Sequence, residues 1–103
     1  MAKFIELKSD PGLFELTLTG KKAWEIRFDD RGYGVEDVLR LRETRYTGEE
    51  MAMRLSGTPK PLEYTGREVF AVVTNVFRGT QYGLKVGWVI LSVNPLFQTN
   101  FGE

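Results

Sequence analysis

Alternation of apolar and polar residues marks one segment as the clearest strand of the chain. In this segment Trp24, Ile26 and Phe28 alternate with Glu25 and Arg27. A period of two places the two sets of side chains on opposite faces of a strand. We therefore predict that the apolar set faces the core and that Glu25 and Arg27 face away from it.

Four other segments are also predicted strands, because they alternate or form short apolar runs bounded by turn residues. These segments are residues 4–7, 38–44, 69–77 and 88–93. In the second of them, Leu39 and Leu41 lie on one face, and Arg40 and Arg42 lie on the other. The longest of the four is predicted to be a central strand.

A helix is predicted over residues 11–19, between the first two strands. Asp10 is a good N-cap, and proline is favoured at the first helical position, where Pro11 stands. Gly20 follows as a C-terminal stop, since glycine readily adopts the conformation that ends a helix. Between these ends, four apolar residues recur at helical spacing: Leu13, Phe14, Leu16 and Leu18.

Two segments depart from these patterns. Residues 45–63 mix glycines and prolines with charged residues and are predicted to form an excursion between strands, with a short second helix at residues 49–55. Residues 95–103 begin with a proline and are predicted to be a flexible tail.

About five strands, one early helix and no regular βαβ alternation predict an α+β, β-rich fold, either a small barrel or a strongly curved sheet. A chain of 103 residues is one domain by size, and we place its core in residues 4–93.

Composition removes several kinds of chemistry. The chain has no cysteine and no histidine, so we expect no disulfide, no thiolate catalysis, no metal site and no cofactor. Fourteen basic residues balance fourteen acidic ones, so contact with nucleic acid would have to come from a local patch. No apolar run is long enough to span a bilayer and no signal peptide is recognised, so we expect a cytoplasmic protein without a membrane partner.

Charged residues concentrate where the predicted helix gives way to the clearest strand. Lys21 and Lys22 follow Gly20 directly, and Glu25 and Arg27 lie two residues apart on one strand face. Arginine offers a planar fork for a phosphate or a base edge, and lysine offers a point charge. The ordinary alternatives are a solvated Glu–Arg pair and lysines that complement the helix dipole.

Other basic and aromatic residues also allow two interpretations. Arg40, Arg42 and Arg45 form a basic stripe, which is either a groove for phosphates or a surface neutralised by nearby acidic residues. Trp24 and Trp88 are predicted to be core residues because of their strand positions. Four tyrosines fall in predicted loops and are better candidates for stacking on bases: Tyr33, Tyr46, Tyr64 and Tyr82.

Several segments in order carry a resemblance to a known family. The helix-to-strand junction reads Gly20-Lys21-Lys22-Ala23-Trp24-Glu25-Ile26-Arg27, and Val38-Leu39-Arg40-Leu41-Arg42-Glu43 follows after a turn. Further along come Thr65-Gly66-Arg67-Glu68-Val69 and the segment from Tyr82 to Ser92. Together they resemble the ASCH superfamily, compact β-barrels related to the PUA fold with a G-x-K-x-x-x-x-R type of motif at this junction. The similarity covers about residues 4–93 and is greatest for a branch of small proteins common in phages and bacteria.

ASCH domains are thought to bind RNA or modified nucleosides in a cleft lined by this motif. The resemblance therefore implies that Lys21, Lys22, Glu25 and Arg27 line such a cleft. A few ASCH proteins remove the acetyl group from an acetylated cytidine with a lysine, a threonine and a distant glutamate. Lys22 matches that lysine, but Glu25 occupies the threonine position, and a carboxylate cannot replace a hydroxyl nucleophile directly. We find no convincing equivalent of the distant glutamate.

Three functions stand as predictions. The first is binding of RNA, single-stranded nucleic acid or a nucleotide through those four residues, with Arg40 or Arg42 contacting phosphate. The second is a small hydrolase acting on a modified nucleoside, for which Lys22 and Glu25 are candidates while no catalytic residue is assigned. The third is a protein-interaction module, of a phage regulatory kind, whose contact surface is the excursion at residues 45–63.

Overall fold

One five-stranded sheet carries the fold. The computed structural model describes residues 2–52 and 57–100. Its elements are β1 (Phe4–Ser9), α1 (Pro11–Leu18), β2 (Trp24–Phe28), β3 (Val38–Thr44), α2 (Gly48–Ala52), β4 (Tyr64–Arg78), a 3-10 turn (Gln81–Gly83) and β5 (Trp88–Asn100). The strand order is β1-β3-β4-β5-β2, with β1 parallel to β3 and the other pairs antiparallel. The sheet curls into a half-barrel, which confirms the predicted α+β, β-rich class.

The core lies between the inner face of the curled sheet and α1. Phe14 of α1 is fully buried, as are Leu39 and Leu41 of β3 and Leu91 of β5. Alternation along β3 places its two leucines inside and its two arginines outside, as predicted. Burial of Phe14 fixes α1 across the inner face and thereby positions the turn that follows the helix.

An ion pair with a buried carboxylate and a partly buried guanidinium also ties α1 to the sheet. Glu43 of β3 accepts hydrogen bonds from Nε and Nη2 of Arg67 on β4, both at 2.9 Å, and from Oγ1 of Thr65 at 2.7 Å. The same Arg67 donates through Nη2 to Oε1 of Glu15 on α1, at 3.0 Å. One guanidinium therefore joins three elements. Alternation places Glu43 on the face of Leu39 and Leu41 but does not identify its partner.

Several predicted boundaries change: β1 ends at Ser9, β4 runs from Tyr64 to Arg78, and β5 extends past residue 93. β5 continues to Asn100, so the prediction of a flexible tail from residue 95 is wrong for residues 95–100, while residues 101–103 lie outside the described residues. Backbone pairing with β4 holds this part of β5 in place. Pro95 is tolerated because β5 pairs with β2 only as far as Ser92, so one edge of β5 is open beyond it. The short helix predicted at residues 49–55 is observed as α2, and residues 53–55 lie outside the described residues.

β2 faces the opposite way from the prediction. Trp24, Ile26 and Phe28 are 44 %, 45 % and 54 % exposed on the outer face, whereas Glu25 is only 4 % exposed. The register with β5 decides this orientation, because Glu25 pairs with Leu91, a core residue of the inner face. Alternation had separated the two sets of side chains correctly but assigned them to the wrong faces.

The two edge strands, β1 and β2, face each other across a seam in the curled sheet. Nη2 of Arg27 donates to the carbonyl of Lys8 at 2.9 Å, and Nη1 of Arg31 donates to the carbonyl of Glu6 at 3.4 Å. Both carbonyls lie on β1 and are two residues apart, so they point to the same edge. Arginine side chains therefore satisfy part of an edge that no strand covers. Among the described helices, none has the length and apolar content needed to cross a bilayer.

Candidate functional site

A partly enclosed cleft of about 150 Å³ opens at this seam. Lys8 and Asp10, at the end of β1 and the start of α1, line one wall, and Lys22 and residues 24–27 line the other. The structure thus brings together three of the four residues predicted at the helix-to-strand junction. The fourth, Lys21, is exposed and does not line the cleft.

Three charged side chains of this second wall, Lys22, Glu25 and Arg27, contact one another. Nζ of Lys22 lies 2.5 Å from Oε2 of Glu25, and Nη2 of Arg27 lies 2.8 Å from Oε1 of the same carboxylate. Nε of Arg27 also donates to that oxygen, at 3.3 Å. Lys22 and Glu25 are each 4 % exposed, while Arg27 is only partly buried. One carboxylate therefore holds two cations, and the trio carries a net charge of +1.

The end of α1 explains how Lys22 reaches this buried position. Gly20 has a φ of +78°, a conformation that glycine adopts without a side-chain clash. The backbone N–H groups of Lys21 and Lys22 both donate to the carbonyl of Leu16, at 2.9 and 3.1 Å. The chain therefore folds back against the helix, and Nζ of Lys22 comes within 3.2 Å of Oγ1 of Thr17.

Thr17 belongs to the site, although the sequence analysis did not identify it. It is 2 % exposed, and its hydroxyl donates to the carbonyl of Leu13 while accepting from Lys22. A hydroxyl buried in this way holds the Lys22 ammonium in place and is not open to a substrate. Thr17 belongs to no recognised sequence motif. The one signal for it in the sequence is its place on the inward face of the predicted helix.

Trp24 stands at the rim of the cleft. The prediction that Trp24 and Trp88 are core residues is wrong, since both lie on the outer face of their strands. Nζ of Lys22 lies 4.9 Å from the centroid of the Trp24 ring, within cation–π range. By contrast, Tyr33, predicted as a loop residue for stacking, is a buried core residue. The stacking surface next to the cleft is therefore a tryptophan on a strand.

Arg40 and Arg42 do not join the cleft. They lie on the outer face of β3, where Arg40 forms ion pairs with Glu68 and Glu6. Arg42 pairs with Glu6 at 3.0 Å, and its guanidinium carbon lies 3.7 Å from the centroid of the Tyr64 ring. Of the two interpretations of the basic stripe, this geometry favours neutralisation by acidic residues.

Three findings complete the description of the site. Within residues 2–52 and 57–100, no cluster of three or more acidic side chains is arranged to hold a metal ion. The family model described as "Domain of unknown function (DUF3850)" matches residues 4–93, which include both walls of the cleft. A search of curated proteins finds no match.

Proposed function

Since the chain belongs to the DUF3850 family, a domain of unknown function, we propose its function from the cleft: it binds a nucleotide, free or within RNA or another single-stranded nucleic acid. The observation that carries the proposal is an exposed indole ring, Trp24, beside the Lys22–Glu25–Arg27 chain in one small cleft. The resemblance to the ASCH superfamily supports it, and membership of that superfamily is part of the proposal. The absence of cysteine is compatible with the cytoplasm, where we place this activity.

Each side chain of the cleft has a distinct part in this proposal. Nη1 of Arg27 makes no hydrogen bond within the described residues, so it can donate to a phosphate or a base edge. Lys8 adds an exposed ammonium at the mouth, and Trp24 offers an aromatic face for a base. Glu25 orients Arg27 and Lys22, because both of its oxygens already accept from these two residues.

A hydrolase acting on a modified nucleoside comes second. If such an enzyme used a side-chain hydroxyl as its nucleophile, the hydroxyl in contact with Lys22 is that of Thr17. Thr17 is buried and its proton is directed to the carbonyl of Leu13. The geometry therefore favours binding over group transfer.

Removing the cleft side chains should weaken binding without unfolding the protein. Trp24→Ala is expected to raise the Kd for a labelled, random-sequence RNA octamer by about 5- to 150-fold, the effect of one lost base–aromatic stack. Lys8→Ala is expected to raise it by about fivefold and to reduce the slope of log Kd against log salt by about 0.7. Fluorescence anisotropy at several salt concentrations measures both quantities.

Lys21→Ala is the matched control, because it removes an exposed lysine that does not line the cleft. All three variants should melt within a few degrees of the parent, since the replaced side chains are exposed. If Lys21→Ala weakens binding as much as Lys8→Ala does, the lysines attract RNA non-specifically and the cleft is not the binding site. Unchanged Kd values in Trp24→Ala and Lys8→Ala would also contradict the proposal.

A further inference from the structure

An apolar surface covers the outer face of the strand pair β2–β5. We call it the apolar face and define it by Trp24, Ile26, Phe28, Trp88 and Ile90. Ile26 pairs with Ile90, and Phe28 pairs with Trp88, so these side chains form a contiguous cross-strand surface. Exposed apolar patches of this kind usually mark a binding site.

The apolar face continues directly from the cleft. Trp24 and Ile26 line the cleft and also, with Ile90, an apolar groove of about 390 Å³. Ile26 further lines a second groove of about 260 Å³, which includes Trp88 and Lys85. A ligand seated in the cleft could therefore extend over the indole of Trp24 onto this surface without crossing a barrier.

The charges around the apolar face suit a polyanion. The described residues that line the two grooves include no Asp or Glu. A cation stands at each end, because the exposed Lys8 lines the cleft together with Trp24 and Lys85 lines the far groove. From Trp24 to Phe28 the strand spans about 13 Å, at roughly 3.3 Å per residue, which exceeds the width of one base.

We propose that the ligand is a single strand of several nucleotides and not a free nucleotide. One nucleotide occupies the cleft, and its neighbours stack on the apolar face toward Lys85. Aromatic rings that accept successive bases and cations that accept the phosphates are the usual means of binding single strands. This inference rests on the proposed function, because it extends the same ligand beyond the cleft.

A length series tests the inference. Mixed ribonucleoside monophosphates and random-sequence RNAs of two, four and eight residues compete against the labelled octamer. The tetranucleotide is expected to bind at least about fivefold more tightly than the monophosphates, because it gains at least one further stack. Trp88→Ala and Lys85→Glu should each remove most of this gain and leave the weaker monophosphate affinity unchanged, since neither residue lines the cleft.

Lys60→Glu makes the same charge change as Lys85→Glu on an exposed residue that follows α2, and should leave the length dependence intact. Equal affinity for monophosphate and tetranucleotide would overturn the inference and leave the proposed function standing. Binding of neither would overturn both. Self-association that Trp88→Ala abolishes, together with no dependence on RNA length, would assign the apolar face to a second copy of the chain and overturn the inference.

Discussion

Replacing Glu25 by glutamine is expected to lower the free energy of unfolding by about 3–5 kcal/mol, the usual effect of breaking a buried ion pair by removing one partner. The ammonium of Lys22 lies 2.5 Å from the Glu25 carboxylate and is almost completely buried. With an amide in place of the carboxylate, one neutral oxygen replaces two charged ones, and the ammonium keeps only neutral partners among the described residues: that amide oxygen and the hydroxyl of Thr17. The loss is a large fraction of the roughly 5–15 kcal/mol that stabilises a typical domain.

The matched variant is Lys22→Met, which removes the other partner. Lys22→Met is expected to lower the free energy of unfolding by less than Glu25→Gln does, because Arg27 still donates two hydrogen bonds to Glu25 after the lysine is gone. Urea unfolding followed by tryptophan fluorescence measures both variants, and the double variant gives their coupling energy. Equal costs, or a neutral Glu25→Gln, would contradict the buried pair.

This stability effect determines how the cleft should be probed. Because Lys22 is buried in an ion pair, its loss would change folding and binding together. Lys8 and Trp24 report on binding alone, since their side chains are exposed at the cleft. Lys22 and Glu25 are therefore best regarded as the residues that hold Arg27 and the cleft wall in position.

Glu43→Gln is expected to lower the free energy of unfolding by about 3 kcal/mol at neutral pH. It is also expected to make that free energy less sensitive to acid. Glu43 is buried and receives a two-pronged interaction from Arg67, which is the strongest geometry for this pair. Glu15→Gln is the control, because it removes the exposed partner of the same guanidinium. The control should stay within about 0.5 kcal/mol of the parent.

The acid sensitivity follows from the pKa of Glu43. Hydrogen bonds from Arg67 lower this pKa below its ordinary value of 4.5, burial opposes them, and the Thr65 hydroxyl adds to the lowering. A carboxyl group whose pKa is lower in the folded state than in the unfolded state stabilises the folded protein. This contribution is complete when the pH is above the unfolded pKa. That contribution is lost as the pH falls below 4.5 and through the folded pKa.

Unfolding free energies at pH 7, 5, 4 and 3 test this. The parent should lose stability more steeply below pH 4.5 than Glu43→Gln does. Some acid sensitivity should remain in the variant because the pKa of Asp37 is also lowered: burial acts to raise it, but the backbone N–H groups of Lys3 and Gly34 together with the Lys3 ammonium outweigh burial. Parallel curves for parent and variant would show that Glu43 carries no such stabilisation.

Much of the local structure was predictable because its causes are local. Alternation located the strands, and helical spacing between Asp10 and Gly20 located α1. The junction that follows α1 was also recognised as a concentration of charge, and three of its residues do line one cleft. Arg40 and Arg42 were grouped with it because they are basic, but β3 turns them to the other side of the sheet.

The sequence by itself determined the strands, the helix, the fold class and the chemistry available at the junction, because periodicity and turn preferences act over a few residues. Only the tertiary structure decided which face of β2 is buried, because that depends on pairing with β5, sixty or more positions away in the chain. The curl of the sheet likewise brought Lys8 opposite Arg27. Contacts between distant segments therefore placed Glu25 inside, left Trp24 outside, and made the cleft with the apolar face beside it.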